Sequence, residues 1–234
     1  DDLNKPFQQW YRYKEGFSID LVKHLIKTQT NKKNGIILGP LSGSGSTLLA
    51  ANELGFKGIG FEVNPFSFFL SKVKLTEYNE KDIEEFKNSI DRILFTKNKE
   101  APLPKLSFAE RVFDESVKSK LMMVKQNIID SKDILSQNVY NLFKLGWLSS
   151  IEYLSHYRKA GNGLKKRKLK KPVKYNAEDV TSVLRDTYSI MYRDLLNFDG
   201  YRDVKLYRET SLNIDDRIES ETITGIIFSP PYAN

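Results

Sequence analysis

The sequence lacks cysteine, has only two histidines, and contains no apolar run of the roughly 18 residues that a membrane span needs. The absence of cysteine excludes a disulfide framework, a thiolate metal site and any mechanism that needs a cysteine nucleophile. His24 and His156 are far apart and have no ligand companions at metal-site spacing. Without a membrane-length segment, we expect a cytoplasmic protein.

Positive charge is abundant, since 37 lysines and arginines oppose 30 acids and give a formal net charge of +7. Such a balance favours attraction to a polyanionic partner, although it says nothing about the fold. With 234 residues, of which 40% are hydrophobic, the chain is long enough for one substantial core and an appended lobe.

The N-terminal third has the pattern of a βαβ unit. An apolar run at Ile36–Leu38 leads into a Gly/Ser-rich loop and then into good helix formers from Thr47 to Leu54. A second apolar run, Gly58–Phe61, ends in an acid, and a helix is predicted over Pro65–Leu75. This order predicts an α/β fold with a parallel sheet.

The middle of the chain differs, because residues 81–200 show mostly helical periodicity. Strand patterns return only in DVKLYRETS and in the apolar run Gly225–Phe228, which predicts a buried strand. We therefore predict an α/β domain formed by residues 1–80 and 201–234 and divided by a mainly helical insertion over residues 81–200.

The loop GPLSGSGSTLL has three functional interpretations. A phosphate-binding P-loop needs a lysine that is absent here, and a dinucleotide fingerprint needs a third glycine where Leu48 stands. A site for S-adenosylmethionine needs only a short glycine turn. Glu62, about 20 residues after the glycines, supports a nucleoside ligand because an acid there can accept both ribose hydroxyls. In the purely structural alternative, the glycines form a tight turn and Glu62 caps the next helix.

Three segments together carry a family resemblance. GSGST, GFEVNP and SPPY, in this order and each after a predicted strand, resemble motifs I, II and IV of the amino-methylating DNA methyltransferases. The segment KPFQQWYRYKEGFSIDLVKHLI resembles their motif X, and YRETSLN stands where motif III falls. The resemblance covers both ends of the chain and leaves the insertion without a counterpart.

The resemblance implies a Rossmann-like class I methyltransferase domain that uses S-adenosylmethionine. The implied cofactor contacts are Phe17, Ser18, Pro40, Ser42, Gly43, Ser44, Gly45, Glu62, Val63, Asn64 and Glu209. The implied catalytic residues are Ser229, Pro230, Pro231 and Tyr232. In this motif the serine hydroxyl and a prolyl carbonyl accept hydrogen bonds from the target amine, and the tyrosine stacks on a flipped base of duplex DNA.

The serine form of motif IV favours cytosine N4 over adenine N6 as the methylated atom. Methylation of cytosine C5 is excluded because it needs a cysteine nucleophile. The family further implies a modification role beside a restriction or defence system. An adenine-N6 enzyme, an RNA or protein N-methyltransferase, and an inactive nucleic-acid-binding module stay open as alternatives.

The chain departs from the family at the start of motif I, where Gly39-Pro40-Leu41 replaces Asp-Pro-Phe. The missing carboxylate removes a charge-assisted hydrogen bond to the cofactor amine, which is of the order of 1.5–3 kcal/mol. This departure motivates the inactive-module alternative.

A basic segment, LKKRKLKKPVKY, lies inside the insertion. We predict that it contacts DNA phosphates through Lys165, Lys166, Arg167, Lys168, Lys170 and Lys171. A solvated loop is the alternative.

The sequence stops just after SPPY, and a doubly wound sheet needs further strands there. We therefore expect the fold to be truncated after motif IV and completed by a missing C-terminal half or a second polypeptide.

Overall fold

The computed structural model describes residues 4–14, 16–105, 111–160, 163–167, 174–198 and 203–229. The strands are β1 (Ile36–Gly39), β2 (Lys57–Phe61), β3 (Tyr157–Ala160), β4 (Gly163–Lys166), β5 (Val204–Tyr207) and β6 (Gly225–Ile226). The helices are α1 (Ile19–Gln29), α2 (Ser46–Glu53), α3 (Pro65–Leu75), α4 (Glu80–Phe95), α5 (Glu115–Asp130), α6 (Gln137–Leu154) and α7 (Ala177–Leu196), with a 3-10 helix at Ser211–Asp216.

The chain forms two compact units. Unit 1 comprises Asp1–Glu77 with Phe198–Asn234, and unit 2 comprises Tyr78–Asn197. In unit 1, four parallel strands form a sheet in the order β5-β2-β1-β6, and helices α1 to α3 belong to the same unit. This arrangement confirms the predicted α/β, Rossmann-like fold class.

The strand order defines where a ligand is expected. The chain passes from β1 to β2 and β5 on one side, and then returns to place β6 on the other side of β1. The direction of winding therefore reverses between β1 and β6. In open α/β sheets, ligands bind beyond the carboxyl ends of the strands at such a switch point.

Two glycines of β2 make room for the Leu48 side chain of α2 against the sheet. A Cβ atom on Gly58 would lie 3.3 Å from the Leu48 side chain, and one on Gly60 would lie 2.6 Å from it. Leu48 itself is completely buried. Close helix–strand packing, for which the dinucleotide fingerprint uses a glycine on the helix, is achieved here with glycines on the strand.

In unit 2, the described residues form helices α4 to α7 and the antiparallel strand pair β3–β4. Its core includes mutually packed rings of Phe86, Phe143 and Tyr188. The Tyr188 hydroxyl donates a hydrogen bond of 3.1 Å to the Phe143 carbonyl, and burial raises the pKa of that hydroxyl. A Cβ on Gly146 would lie 2.4 Å from the Tyr188 ring, so this glycine allows the ring to pack against α6.

One secondary-structure prediction is wrong, and one element of the insertion was not predicted. Beside its helices, the insertion contains the paired strands β3 and β4. The run Gly225–Phe228 is not a buried strand: only Gly225–Ile226 is a strand, and Ile226 and Phe228 are 56% and 49% exposed. The physical reason is that β6 lies at the edge of the sheet among the described residues.

No helix in the described part of the chain is both long and apolar enough to cross a membrane.

Candidate cofactor site and DNA interface

The glycine loop follows β1 and turns sharply into α2. Gly43 and Gly45 have φ angles of +53° and +81°, in the left-handed region that favours glycine. The Gly45 N–H donates to the Ser42 carbonyl over 2.8 Å, and the Ser42 N–H donates to the Phe61 carbonyl over 2.9 Å. The loop is therefore closed on itself and attached to the end of β2.

Two side chains of α3 donate hydrogen bonds to backbone carbonyls of the glycine loop. The Ser71 hydroxyl donates to the Gly43 carbonyl over 2.7 Å. The ammonium group of Lys74, which is only 2% exposed, donates to the Ser44 carbonyl over 3.0 Å and to Gln8 Oε1 over 3.1 Å. Loop carbonyls that would otherwise change orientation are thus fixed by donors outside the loop.

The contact with Lys74 also orients the amide of Gln8. An ammonium group only donates, so the Gln8 oxygen must face Lys74 and the Gln8 nitrogen must point away. That nitrogen, Nε2, is buried and has no hydrogen-bond partner among the described residues. A buried donor of this kind is costly unless an acceptor reaches it.

Glu62 connects the ends of the first two strands. Its Oε2 accepts the Gly43 N–H over 2.8 Å and its Oε1 accepts the Asn64 N–H over 2.7 Å. Each carboxylate oxygen keeps a further lone pair for a ligand hydroxyl. The alternative in which Glu62 caps α3 is wrong, because Asn64 is the cap and accepts from the N–H groups of Phe66 and Ser67.

The segment predicted as motif X lies against the glycine loop. The Tyr13 hydroxyl is 3.2 Å from the Ser67 hydroxyl, and a Cβ on Gly43 would lie 3.6 Å from the Tyr13 ring. A Cβ on Gly16 would lie 3.1 Å from the Ser44 hydroxyl. Residues from distant parts of the sequence therefore enclose one side of the loop.

The remaining predicted cofactor residues fall into two groups. Some use their side chains within the protein: the Ser42 hydroxyl donates to the Gly39 carbonyl over 2.8 Å, and the buried Ser44 hydroxyl lies 3.2 Å from that of Ser46. The others have side chains that are at least partly accessible to solvent: Phe17, Ser18, Pro40 and Val63, which is 62% exposed. Ser18 is also the N-cap of α1, but its side chain makes no cap hydrogen bond.

Glu209 lies two residues beyond Tyr207, whose carbonyl accepts the Glu62 N–H over 3.0 Å. It follows β5, the strand on the far side of β2 from β1. Its carboxylate accepts hydrogen bonds from Arg217 Nη2 over 2.6 Å and Arg217 Nε over 3.3 Å. Arg217 is the main cause of the lowered pKa of Glu209, so an ion pair within the protein already uses this acid.

Ser229 lies beyond β6, on the other side of β1. The Ile227 N–H donates to the Leu38 carbonyl over 3.0 Å, so the parallel pairing with β1 continues to that point. Ser229 therefore stands at the same edge of the sheet as the glycine loop, across the switch point. Pro230, Pro231 and Tyr232 lie outside the described residues.

Gly39 ends β1 without a carboxylate. A Cβ at this position would lie 3.5 Å from Leu48 Cδ2 and from the Ser42 hydroxyl, which is ordinary van der Waals contact. The backbone there is not in the left-handed region. The site therefore has room for the first atom of an aspartate side chain, although the sequence does not supply one.

The predicted DNA-contacting residues are only partly described. Lys165 and Lys166 are exposed on β4, whereas Lys168, Lys170 and Lys171 lie outside the described residues. The Arg167 side chain turns back and donates to the carbonyls of Glu152 and Ser155.

The geometry at the carboxyl edge suits a nucleoside ligand with a polar tail. The two glycines give a ligand access to the loop backbone, and Glu62 offers acceptor positions for a pair of hydroxyls. Gln8 offers a buried donor that lacks an acceptor among the described residues. Sequence reasoning missed Gln8 and Lys74. For Lys74, the one sequence signal of burial is its position between two apolar residues of α3, Val73 and Leu75.

Comparison with known proteins agrees with this geometry. Residues 3–73, which contain the glycine loop and Glu62, match the family model N6_N4_Mtase, described as DNA methylase. Over 99% of its length the chain is 30% identical to the Type II methyltransferase M.BsoBI of Geobacillus stearothermophilus and 25% identical to the Type II methyltransferase M.AvaI of Anabaena variabilis.

A shorter match, 37% identical over 32% of the chain, is to the Type II methyltransferase M.MjaII of Methanocaldococcus jannaschii and covers 13% of that protein. The chain covers 50% of M.BsoBI and 51% of M.AvaI, so it spans about half the length of these curated relatives.

A parallel sheet with a glycine loop and a following acid is an architecture shared by many nucleotide- and nucleoside-binding α/β proteins. The matches confirm the resemblance predicted from the motifs: the chain is related to the amino-methylating DNA methyltransferases.

Proposed function

We propose that the protein is an S-adenosylmethionine-dependent DNA methyltransferase that methylates an exocyclic amine, with cytosine N4 preferred to adenine N6. The observation that carries the proposal is the position of the glycine loop and Ser229 at one edge of the sheet, on adjacent parallel strands that flank the switch point. A modification role beside a restriction system is part of the proposal.

The cofactor would be held by groups that are already oriented. Glu62 would accept the ribose hydroxyls while its bonds to Gly43 and Asn64 hold the carboxylate in place. The Gln8 amide would donate to an oxygen of the methionine tail, which would satisfy the buried nitrogen. The bound cofactor supplies an electrophilic methyl group on a sulfonium.

Ser229 would position the amine that receives the methyl group. An exocyclic amine conjugated with a base is a poor nucleophile, so its orientation toward the methyl group provides most of the rate gain. The Ser229 hydroxyl and the Pro230 carbonyl would accept the amine hydrogens. Pro231 would keep the turn rigid, and Tyr232 would stack on a target base flipped from the duplex.

Product analysis tests this function directly. The protein, together with the C-terminal half or second polypeptide expected to complete its fold, is incubated with methyl-labelled cofactor and duplex DNA, and the nucleosides are separated after digestion. We expect N4-methylcytosine. Exclusive formation of N6-methyladenine would overturn the choice of base, and label found only in RNA or protein would overturn DNA as the substrate.

A matched pair of serine variants separates catalysis from cofactor binding. Ser229→Ala should abolish methyl transfer and leave cofactor affinity unchanged, because the hydroxyl acts on the amine. Ser211→Ala changes a serine that also follows a strand of this sheet, β5, and should keep both properties. Full methyl transfer by Ser229→Ala would exclude the proposed role.

Gly39 favours a second candidate function, a nucleic-acid-binding module without activity. This candidate predicts duplex DNA binding without measurable binding of the cofactor in calorimetry. Detection of cofactor binding would exclude it.

A further inference from the structure

Strands β3 and β4 form a short antiparallel ribbon whose cross-strand pairs bring cations together. Arg158 lies directly opposite Lys165, and Tyr157 lies opposite Lys166. Directly opposed residues of an antiparallel pair project from the same face, with Cβ atoms about 4.5–5.5 Å apart. Arg158 and Lys165 therefore form a like-charged pair on one face of the ribbon.

Like charges in this arrangement destabilise a sheet unless an anion lies between them. Arg158, Lys165 and Lys166 are all exposed. In the described part of the chain, no acid forms an ion pair with any of them. The ribbon thus presents positive charge outward that is not neutralised by described neighbours.

The base of the ribbon is fixed to the end of α6. The Arg167 backbone N–H donates to the His156 carbonyl over 2.8 Å, and its guanidinium donates to the carbonyls of Glu152 and Ser155 over 2.8 and 3.2 Å. Basic groups at a helix C-terminus satisfy its last carbonyls and its dipole. Arg167, predicted as a DNA contact, therefore serves as an anchor in this structure.

This anchoring distinguishes the ribbon from a solvated charged loop. Its hydrogen-bonded register keeps Arg158 and Lys165 on one face, and the Tyr157 N–H adds a bond of 2.9 Å to the Ser155 hydroxyl. A fixed pair of cations can hold an anion between them with little loss of conformational entropy on binding.

We propose that the ribbon binds the sugar-phosphate backbone of duplex DNA through the face that carries Arg158 and Lys165, with these two cations on either side of one phosphate. The inference rests on the proposed function, because it names the surface through which that substrate is held. A two-stranded ribbon fits the major groove of B-form DNA, whereas the major groove of A-form RNA is too narrow and deep to admit one.

The experiment compares two charge-matched double variants. Arg158→Gln with Lys165→Gln removes the facing pair. Lys97→Gln with Lys99→Gln removes the same charge from an exposed segment of the same unit. Affinity for a fluorescent DNA duplex is measured by anisotropy across a salt series, and affinity for S-adenosylhomocysteine is measured by calorimetry.

We expect the ribbon variant to bind DNA at least about tenfold more weakly at low salt, with a salt slope reduced by about 0.9, because one phosphate is no longer neutralised. The control variant should change affinity less than about threefold, which is the effect of charge on long-range attraction alone. Both variants should bind S-adenosylhomocysteine as the unchanged protein does.

Equal losses in the two variants would overturn the proposal, since they would indicate diffuse attraction. Tighter binding of duplex RNA than of duplex DNA by the unchanged protein would overturn the choice of partner. Failure of the proposed methyltransferase function would give a result that differs from both of these outcomes. In that case the unchanged protein would transfer no methyl group to DNA, while the ribbon variant would still lose DNA affinity relative to its control.

Discussion

The glycine loop and the β3–β4 ribbon both present polar groups for a ligand, but they are stabilised in opposite ways. Around the loop, Lys74, Ser71 and Glu62 bond to backbone atoms of the loop itself. On the ribbon, Arg158 and Lys165 face each other without a described counter-charge. The comparison teaches that the internally bonded loop is shaped without a ligand, whereas under the proposed DNA contact the facing cations would gain their stabilising partner only on binding.

The largest expected effect comes from filling the space beneath the loop. A Cβ on Gly60 would lie 2.3 Å from the Ser42 hydroxyl and 2.6 Å from Leu48, so Gly60→Ala forces both to move. Overpacking of this kind costs about 1–3 kcal/mol of the free energy of unfolding. Urea denaturation followed by tryptophan fluorescence measures the loss.

The ribbon supplies the control for this prediction. A Cβ on Gly163 meets no atom within 4 Å, so Gly163→Ala should change the free energy of unfolding by less than about 0.5 kcal/mol. Equal effects at Gly60 and Gly163 would contradict the account of a tightly packed loop beside an open ribbon.

Removal of the buried ammonium group is the next largest effect. Lys74→Met leaves the Ser44 carbonyl and Gln8 Oε1 without their donor, and a buried unsatisfied group costs about 1–3 kcal/mol. If part of that cost falls on the loop conformation, affinity for S-adenosylhomocysteine should drop by about tenfold.

The control for Lys74 lies on the same helix. Lys72→Met changes an exposed lysine of α3 and should leave the affinity for S-adenosylhomocysteine unchanged. A Lys74→Met protein that is less stable but binds the ligand normally would show that Lys74 supports the fold and does not position the loop.

Restoring the family's carboxylate should strengthen cofactor binding. Gly39→Asp places an acid at the end of β1, where a Cβ makes ordinary contacts, and a charge-assisted hydrogen bond should improve affinity by about tenfold. Gly39→Ala controls for the added carbon and should not improve it. Calorimetry with S-adenosylmethionine measures both, and no gain with aspartate would place the cofactor amine elsewhere.

The smallest expected effect concerns Glu209. Its folded-state pKa is lowered from 4.5, chiefly by Arg217, so the carboxylate stabilises the fold at pH values above its ordinary pKa. This contribution is lost as pH falls through the lowered pKa. Glu209→Gln should therefore be slightly less stable than the unchanged protein near neutral pH, and the difference should vanish in acid.

Thermal unfolding at several pH values measures this difference. Because Arg217 already engages Glu209, Glu209→Gln should leave affinity for S-adenosylhomocysteine almost unchanged. A large loss of affinity would show instead that Glu209 contacts the cofactor, as the sequence predicts.

Local chemistry explains which parts of the fold could be predicted from sequence. Gly55 and Pro65 mark helix ends by their own backbone preferences, and the predicted helix Pro65–Leu75 has the observed bounds. The strands of the ribbon were missed because Arg158, Lys165 and Lys166 carry no alternation of apolar and polar residues. Their pairing depends on anchoring to α6, which is a tertiary contact.

The residues of the candidate site also differ in whether the sequence could predict their roles. Gly43 and Glu62 could be predicted because their spacing after consecutive strands is itself the signal. The roles of Gln8, Lys74 and Arg167 could not, because each depends on a partner more than ten residues away in the sequence. Glu209 follows a strand as predicted, but the sequence did not indicate that Arg217 would pair with it.

Calorimetric titration of S-adenosylhomocysteine into the unchanged protein and into Glu62→Gln tests the central claim most directly. The account predicts one binding site in the unchanged protein and at least about a tenfold weaker one in the variant, because loss of the carboxylate removes charge-assisted bonds to the ribose and to Gly43. Equal affinity of the two proteins, or no binding by the unchanged protein, would contradict a cofactor site at this edge of the sheet.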